Sequence, residues 1–322
     1  MRTVQPAYVL LKTQSDQSSP ELLAGTLLAL ATAGIWGVGD FLSRKPSAKI
    51  GSMLTSVLIQ PIGLVLMIPI LFAGGIPSTL SANTSIWYLL LNLGTGVVAF
   101  LGIVFLYRGY SEGIMSIVAP IGGAFPVIAV ILSVALLGTV LTLIRSLSII
   151  AAIIGITLAG VKLSSFWRAN SPDVNEVLDR QKIIRGADDG VGAMICAGFG
   201  LFSMGVVAPI IGSILAVVIL KSGESITALG AILSGRIKLA RPGRSTLAWV
   251  LLVGACDAGG FATYNLAIAS AGGSLPIVVT LAGLLGVVTV ALARIFYKEK
   301  LEKIQLVGVV IIFAAVAAIL YF

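Results

Sequence analysis

Ten apolar runs of about twenty residues follow one another between residues 22 and 322. They lie near 22–42, 50–73, 85–106, 114–137, 142–163, 190–210, 213–234, 246–268, 274–297 and 303–322. At a helical rise of about 1.5 Å per residue, each can cross about 30 Å of hydrocarbon. Lipid offers no water to backbone groups, so only helices and closed barrels span it. Barrel strands alternate apolar and polar residues, whereas these runs are apolar on every side. The expected fold is an all-α integral membrane protein with ten transmembrane helices. A soluble core is no alternative, because the chain is 58% hydrophobic and 11% charged, against roughly 45–50% and 25% in soluble domains.

The net charge of +8 follows from basic residues in short loops, where they meet lipid headgroups and set orientation. It points to the bilayer and not to nucleic acid. Cys196 and Cys256 both fall in apolar runs, with no disulfide framework or metal spacing. The absence of histidine removes the commonest general base, proton shuttle and metal ligand. No phosphate-binding loop is present, so direct ATP drive in this chain is excluded. An enzyme would have to work with a Lys–Glu or Asp–Tyr pair. The chain is therefore read as no enzyme, with no cofactor and no metal.

Residues 1–21 read as a flexible tail. The polar stretch 164–189 reads as a solvated linker, with room for a short surface helix over 174–184. It separates two near-equal units, 22–163 and 190–322. A shift of 160 positions superposes Gly94 on Gly254, Gly113 on Gly273, Val118 on Val278, Val127 on Val287 and Leu141 on Leu301. Span lengths and gaps repeat as well. Each unit has five spans, an odd number, so the second enters the membrane upside down. Two inverted five-helix repeats are a common plan of secondary transporters, with the substrate site at the repeat interface.

Asp257 is the sharpest functional candidate. It lies in the eighth span, with no basic residue between Arg244 and Arg294. A carboxylate at that depth costs about 2.5–3.5 kcal/mol on insertion scales and marks a functional site by default. Helical spacing puts Gly254, Asp257, Phe261 and Tyr264 on one face, bordered by Asn265. That stripe is either a cavity wall that meets a solute or coupling proton, or a set of groups tying helices together. Lys221 and Glu224 are three apart in the seventh span and share a face. They form a structural pair or an electrostatic partner for Asp257, unless the uncertain join at Pro209 and Gly212 leaves them in a loop. Trp36 and Asp40 in the first span offer a cavity platform and a gate charge, or Asp40 pairs with Arg44. Gln60, Asn92 and Thr95 add polar atoms suited to interhelical bonds or to a ligand. Arg108 and Glu112 read as a pair at the rim.

Pro120, Pro126 and Pro276 in spans four and nine are hinges or fixed bends. Ala151, Gly155 and Ala159 mark a close helix contact. Positive charge gathers in the loops after odd-numbered spans, which the positive-inside rule makes cytoplasmic.

The segment 284-LLGVVTVALARIFYKEKLEKIQLVGVVIIFAAVAAIL-320 resembles the end of a repeat of the EamA-type family, in the drug/metabolite transporter superfamily. Its turn reads 298-KEKL-301. The segment 115-MSIVAPIGGAFPVIAVILSVALLG-138 is similar to the family's fourth helix, although 138-GTVL-141 lacks the usual Glu. The opening helix, 33-AGIWGVGDFLSRK-45, also resembles the family's first. The resemblance implies a transporter fold over roughly 22–322, in a family that handles amino acids, sugars and drug-like compounds. It implies cytoplasmic termini, opposite to the loop charges.

The expectation is thus a secondary active transporter, an exporter or permease, in the plasma membrane. It would move a small polar or amphipathic metabolite by alternating access, with a coupling proton or ion, as a monomer or homodimer. A sugar or amino-acid uptake permease of the same fold, a channel and a non-transporting accessory protein are the rivals.

Overall fold

The computed structural model describes residues 19–74, 85–112, 118, 121–160, 175–235, 237, 241–271, 274–297 and 302–321. Most of these are helical and none is in a strand. The helices are α1 (Ser19–Ile50), α2 (Ser52–Gly74), α3 (Ile86–Glu112), α4 (Pro126–Leu137), α5 (Leu143–Gly160) and α6 (Asn175–Ile211). There follow α7 (Ser213–Leu233), α8 (Arg244–Ser270), α9 (Leu275–Ala282), α10 (Leu285–Tyr297) and α11 (Lys303–Tyr321). Among the described residues, six helices are long and apolar enough to cross a membrane: α1, α2, α3, α6, α7 and α8. Shorter apolar helices cover Ile121–Leu137, Leu143–Leu158 and Leu275–Thr289. Large apolar side chains such as Phe72, Trp87, Leu136 and Leu233 stand exposed on the outside, as lipid requires and water would not favour. The chain is an integral membrane protein.

Two boundaries differ most from the sequence expectation. Helix α1 does not stop near residue 42. It runs through Arg44, Lys45 and Pro46 to Ile50 and stops where Gly51 takes a positive φ of 87°, a conformation glycine adopts without strain. The charges therefore do not end the helix. The stretch 164–189 is helical from Asn175 and runs without interruption into the apolar part of α6. Asp189 explains the continuity: its buried carboxylate takes a two-pronged ion pair from Arg108 of α3, which ties this end of α6 into the bundle. Glu112 pairs with Arg185, at 3.1 Å, and not with Arg108. Residues 1–18, Gly113, Pro120, Gly273, 164–174 and 298–301 lie outside the described residues.

Spans four and nine are each interrupted. A turn at Ala124–Phe125 precedes α4, and a turn at Gly283–Leu284 separates α9 from α10. Pro126 and Pro276 each open a helix, where a missing N–H leaves nothing unsatisfied. They are helix starts and not bends within helices. The two interruptions meet: a Cβ on Gly283 would lie 2.6 Å from Pro126 Cγ.

The most extensive pairings are α1 with α8, α3 with α6, and α5 with α11, followed by α3 and α2 against α7. Small residues permit them. On α5, a Cβ at Gly155 would lie 3.0 Å from Gly308 O of α11. On α3, a Cβ at Gly96 would lie 2.9 Å from Gly223 Cα and Glu224 N of α7. Backbone cannot step aside as a flexible side chain can. Gly96→Ala is therefore expected to cost about 1–3 kcal/mol, read as a lower thermal midpoint of the purified protein. Gly94→Ala is the control, because its added carbon meets nothing within 4 Å. Equal midpoints for the two variants would refute a tight α3–α7 contact.

Candidate functional site

A cleft with about 830 Å³ of free space, part of it open to the outside, lies between α1, α3, α6 and α8. It runs from mid-bundle, at Trp36, Ala99, Leu201 and Phe261, toward the end that carries the C-termini of α1 and α3, at Tyr107 and Tyr110. The interrupted helices contribute backbone and apolar edges through Gly122, Gly123, Phe125 and Leu285. The other half of the bundle is packed shut. Ala29, Met204, Val207, Tyr264, Ile268 and Ala271 there have at most 1% of their surface exposed. Gly25 lets α1 press onto Ala271, with 2.5 Å left to a hypothetical Cβ. The inner end of the cleft is aromatic: Trp36 meets Phe261 edge-on at 5.1 Å and Tyr264 at 6.0 Å.

The floor carries the charge. Lys221, mid-way along α7, is fully buried, as is Glu224. Gly212, with φ 94°, separates α6 from α7, and this settles the join: both charges belong to a helix, not a loop. Lys221 Nζ donates to Glu224 Oε2 at 2.5 Å, to Gln60 Oε1 at 3.2 Å, and to Asp257 Oδ2. It also stands 4.7 Å from the centre of the Phe261 ring. Its stem has room because α2 has a glycine opposite: a Cβ on Gly63 would lie 3.1 Å from Lys221 Cδ.

One ammonium thus bridges two carboxylates. An unpaired ion in low dielectric costs several kcal/mol, and hydrogen-bonded counter-ions offset that cost. With all three groups ionised the cluster keeps one net negative charge. Glu224 is sealed. The Asp257 side chain is 13% exposed and lines the cleft, so the surplus charge meets the cleft through Asp257. Trp36 Nε1 donates to the Asp257 backbone carbonyl at 3.2 Å, which holds α1 against α8 at this level.

The other sequence candidates divide into two groups. Trp36 and Asp40 line the cleft, and the Tyr110 hydroxyl donates to Asp40 Oδ2 at 3.4 Å. Tyr264, Asn265, Asn92 and Thr95 lie behind it, fully or almost fully buried. The Tyr264 hydroxyl donates to Leu201 O at 2.9 Å. Asn92 Nδ2 donates to Ala216 O at 2.7 Å, and Asn265 Nδ2 to Ser213 O at 3.1 Å, so both hold the first turn of α7. Thr95 shares a 2.7 Å hydrogen bond with Ser203 of α6. These bonds position the floor of the cleft without facing it. Tyr107 and Tyr110 were not among the sequence candidates. Their signal was present: α1 and α3 run in the same direction, so tyrosines near the end of α3 reach the level of Asp40.

The model of the EamA-like transporter family matches residues 23–161. A solved structure, described only as the crystal structure of a protein, is 15% identical, with a TM-score of 0.68. The match covers 94% of this chain and 96% of that one, and at this identity it speaks for the fold alone. No curated protein sequence matches.

Proposed function

We propose that this chain, whose residues 23–161 match the model of the EamA-like transporter family, is a secondary carrier built of ten membrane helices in two inverted repeats. It moves a small polar or amphipathic metabolite across the plasma membrane by alternating access. The observation that carries the reading is a cleft closed at one end, with a buried charge cluster reaching it through a single carboxylate. Ionisable groups inside a membrane bundle are costly and mark ion or substrate pathways.

Helix packing supports the repeat. Exchanging α1 with α6, α2 with α7, and α3 with α8 turns the α1–α8 pairing into the α6–α3 pairing. It likewise turns α3–α7 into α8–α2, while α5–α11 maps onto itself. Single contacts follow the same rule. Gly37 abuts Val288 and Leu285 O, and Gly198 abuts Ile128 and Phe125 O, related by shifts of 160–161 positions. Under that relation Lys221 corresponds to Gln60, and the two side chains bond to each other near the pseudo-axis. Glu224 corresponds to Gly63, and Asp257 to the Gly96–Val97 level. The charges break the symmetry of a symmetric frame, which suits a coupling role.

In this mechanism Asp257 takes up the coupling proton or ion, Lys221 and Glu224 hold its charge state, and the α1–α8 and α3–α6 contacts open alternately. Purified protein in liposomes should show saturable uptake and counterflow for at least one member of a panel of amino acids, sugars and amines. Flux without saturation would mean a channel. No flux for any of them would favour an accessory protein.

A further inference from the structure

The wall of the cleft carries one sign of charge. Asp40 and Asp257 line it, and no lysine or arginine is among the described residues that do. Asp257 is answered from behind by Lys221. Asp40 has the Tyr110 hydroxyl, at 3.4 Å, where Asp257 has an ammonium. Around it the surface is aromatic, formed by Trp36, Tyr107, Phe125 and Phe261. A carboxylate on an apolar wall favours a ligand that brings its own positive charge. Aromatic faces attract cations and accept flat apolar bodies. An anionic ligand would meet two carboxylates. A zwitterion would find no basic side chain on the wall to receive its own carboxylate.

We propose that the cleft takes an amphipathic organic cation, with its ammonium on the Asp40 carboxylate and its apolar body against the rings of Trp36, Tyr107, Phe125 and Phe261. This deepens the carrier reading and rests on it for the physiological role of the cleft. Asp40 is then the substrate carboxylate and Asp257 the coupling one, a division of labour between α1 and α8.

Tryptamine, tryptophan and indole-3-acetate share one ring and carry charges of about +1, 0 and −1 at neutral pH. Titration calorimetry on the purified chain in nanodiscs, with empty nanodiscs subtracted, compares them directly. Tryptamine is expected to bind at least about tenfold more tightly than either of the others, as a charge-assisted contact allows. Asp40→Asn keeps the shape and the acceptor for Tyr110, and should lower tryptamine affinity by at least about tenfold. Asp40→Glu should restore most of it, which separates charge from a general loss of folding. The proposal is overturned by equal affinity for all three compounds, by no binding of tryptamine, or by unchanged affinity in Asp40→Asn. Charge-selective binding without counterflow would uphold this inference and sink the carrier reading. Counterflow of a sugar with no charge preference would do the reverse.

Discussion

Replacing Lys221 with methionine should cost about 3–5 kcal/mol of stability. The ammonium stands between Glu224 and Asp257, and Glu224 is fully buried. Methionine fills the volume and leaves two carboxylates without a counter-ion. Each of the other changes is milder. Glu224→Gln leaves the Lys221–Asp257 pair intact, a neutral unit, and should cost about 1 kcal/mol. The double variant Lys221→Met with Glu224→Gln removes the sealed charge and leaves only Asp257, which reaches the cleft. It should be more stable than Lys221→Met alone, giving a coupling energy of about 1–3 kcal/mol. Thermal midpoints of the four proteins in one detergent supply the cycle. Additive effects, or a Lys221→Met protein that melts with the parent, would show that the ion cluster does not hold this part of the fold.

That cycle has three charges in it where sequence reasoning had two. The Lys221–Glu224 pair was legible because a three-residue spacing puts side chains on one helix face. Asp257 was legible because a lone carboxylate in an apolar run demands an explanation. Their meeting was offered only as an alternative. Periodicity tells which residues share a face, but not which way that face turns against its neighbours. The rotations of α7 and α8 are set by their contacts with α3 and α2, such as Gly96 on Gly223 and Gly254 on Ile62, made of residues common throughout the chain.

Tyr264 and Asn265 show the same limit from the other side. They share the stripe of Asp257 by spacing, yet their polar atoms bond to backbone of α6 and α7, about two turns farther along. A stripe seven or eight residues long spans about 11–12 Å, enough to pass from the cleft into the packed half. Asp40 was legible as a charge near the end of an apolar run, but its helix runs eight residues beyond the expected stop. Hydropathy marks where lipid ends. The helix ends where the backbone turns, at Gly51.

Asp257→Asn should abolish uphill accumulation of whichever panel member the wild type exchanges, by about 100-fold or more, while leaving the protein folded. The charge count separates the two effects. Wild type has one ammonium and two carboxylates. The variant has one of each, so the Lys221–Glu224 pair remains neutral, and the amide oxygen can still accept from Lys221. Stability should change by about 1 kcal/mol or less. What disappears is the surplus negative charge, the one group of the cluster that both reaches the cleft and can take up a proton. A coupling ion then has no seat, and a gradient can do no work on the substrate. Exchange of labelled for unlabelled substrate needs no coupling step, so counterflow should persist within about tenfold of wild type. The measurement is paired: accumulation under an imposed proton or sodium gradient, and counterflow without one, in the same proteoliposomes. Wild-type accumulation by Asp257→Asn would remove Asp257 from the coupling role. Loss of accumulation together with loss of folding would assign it to structure instead.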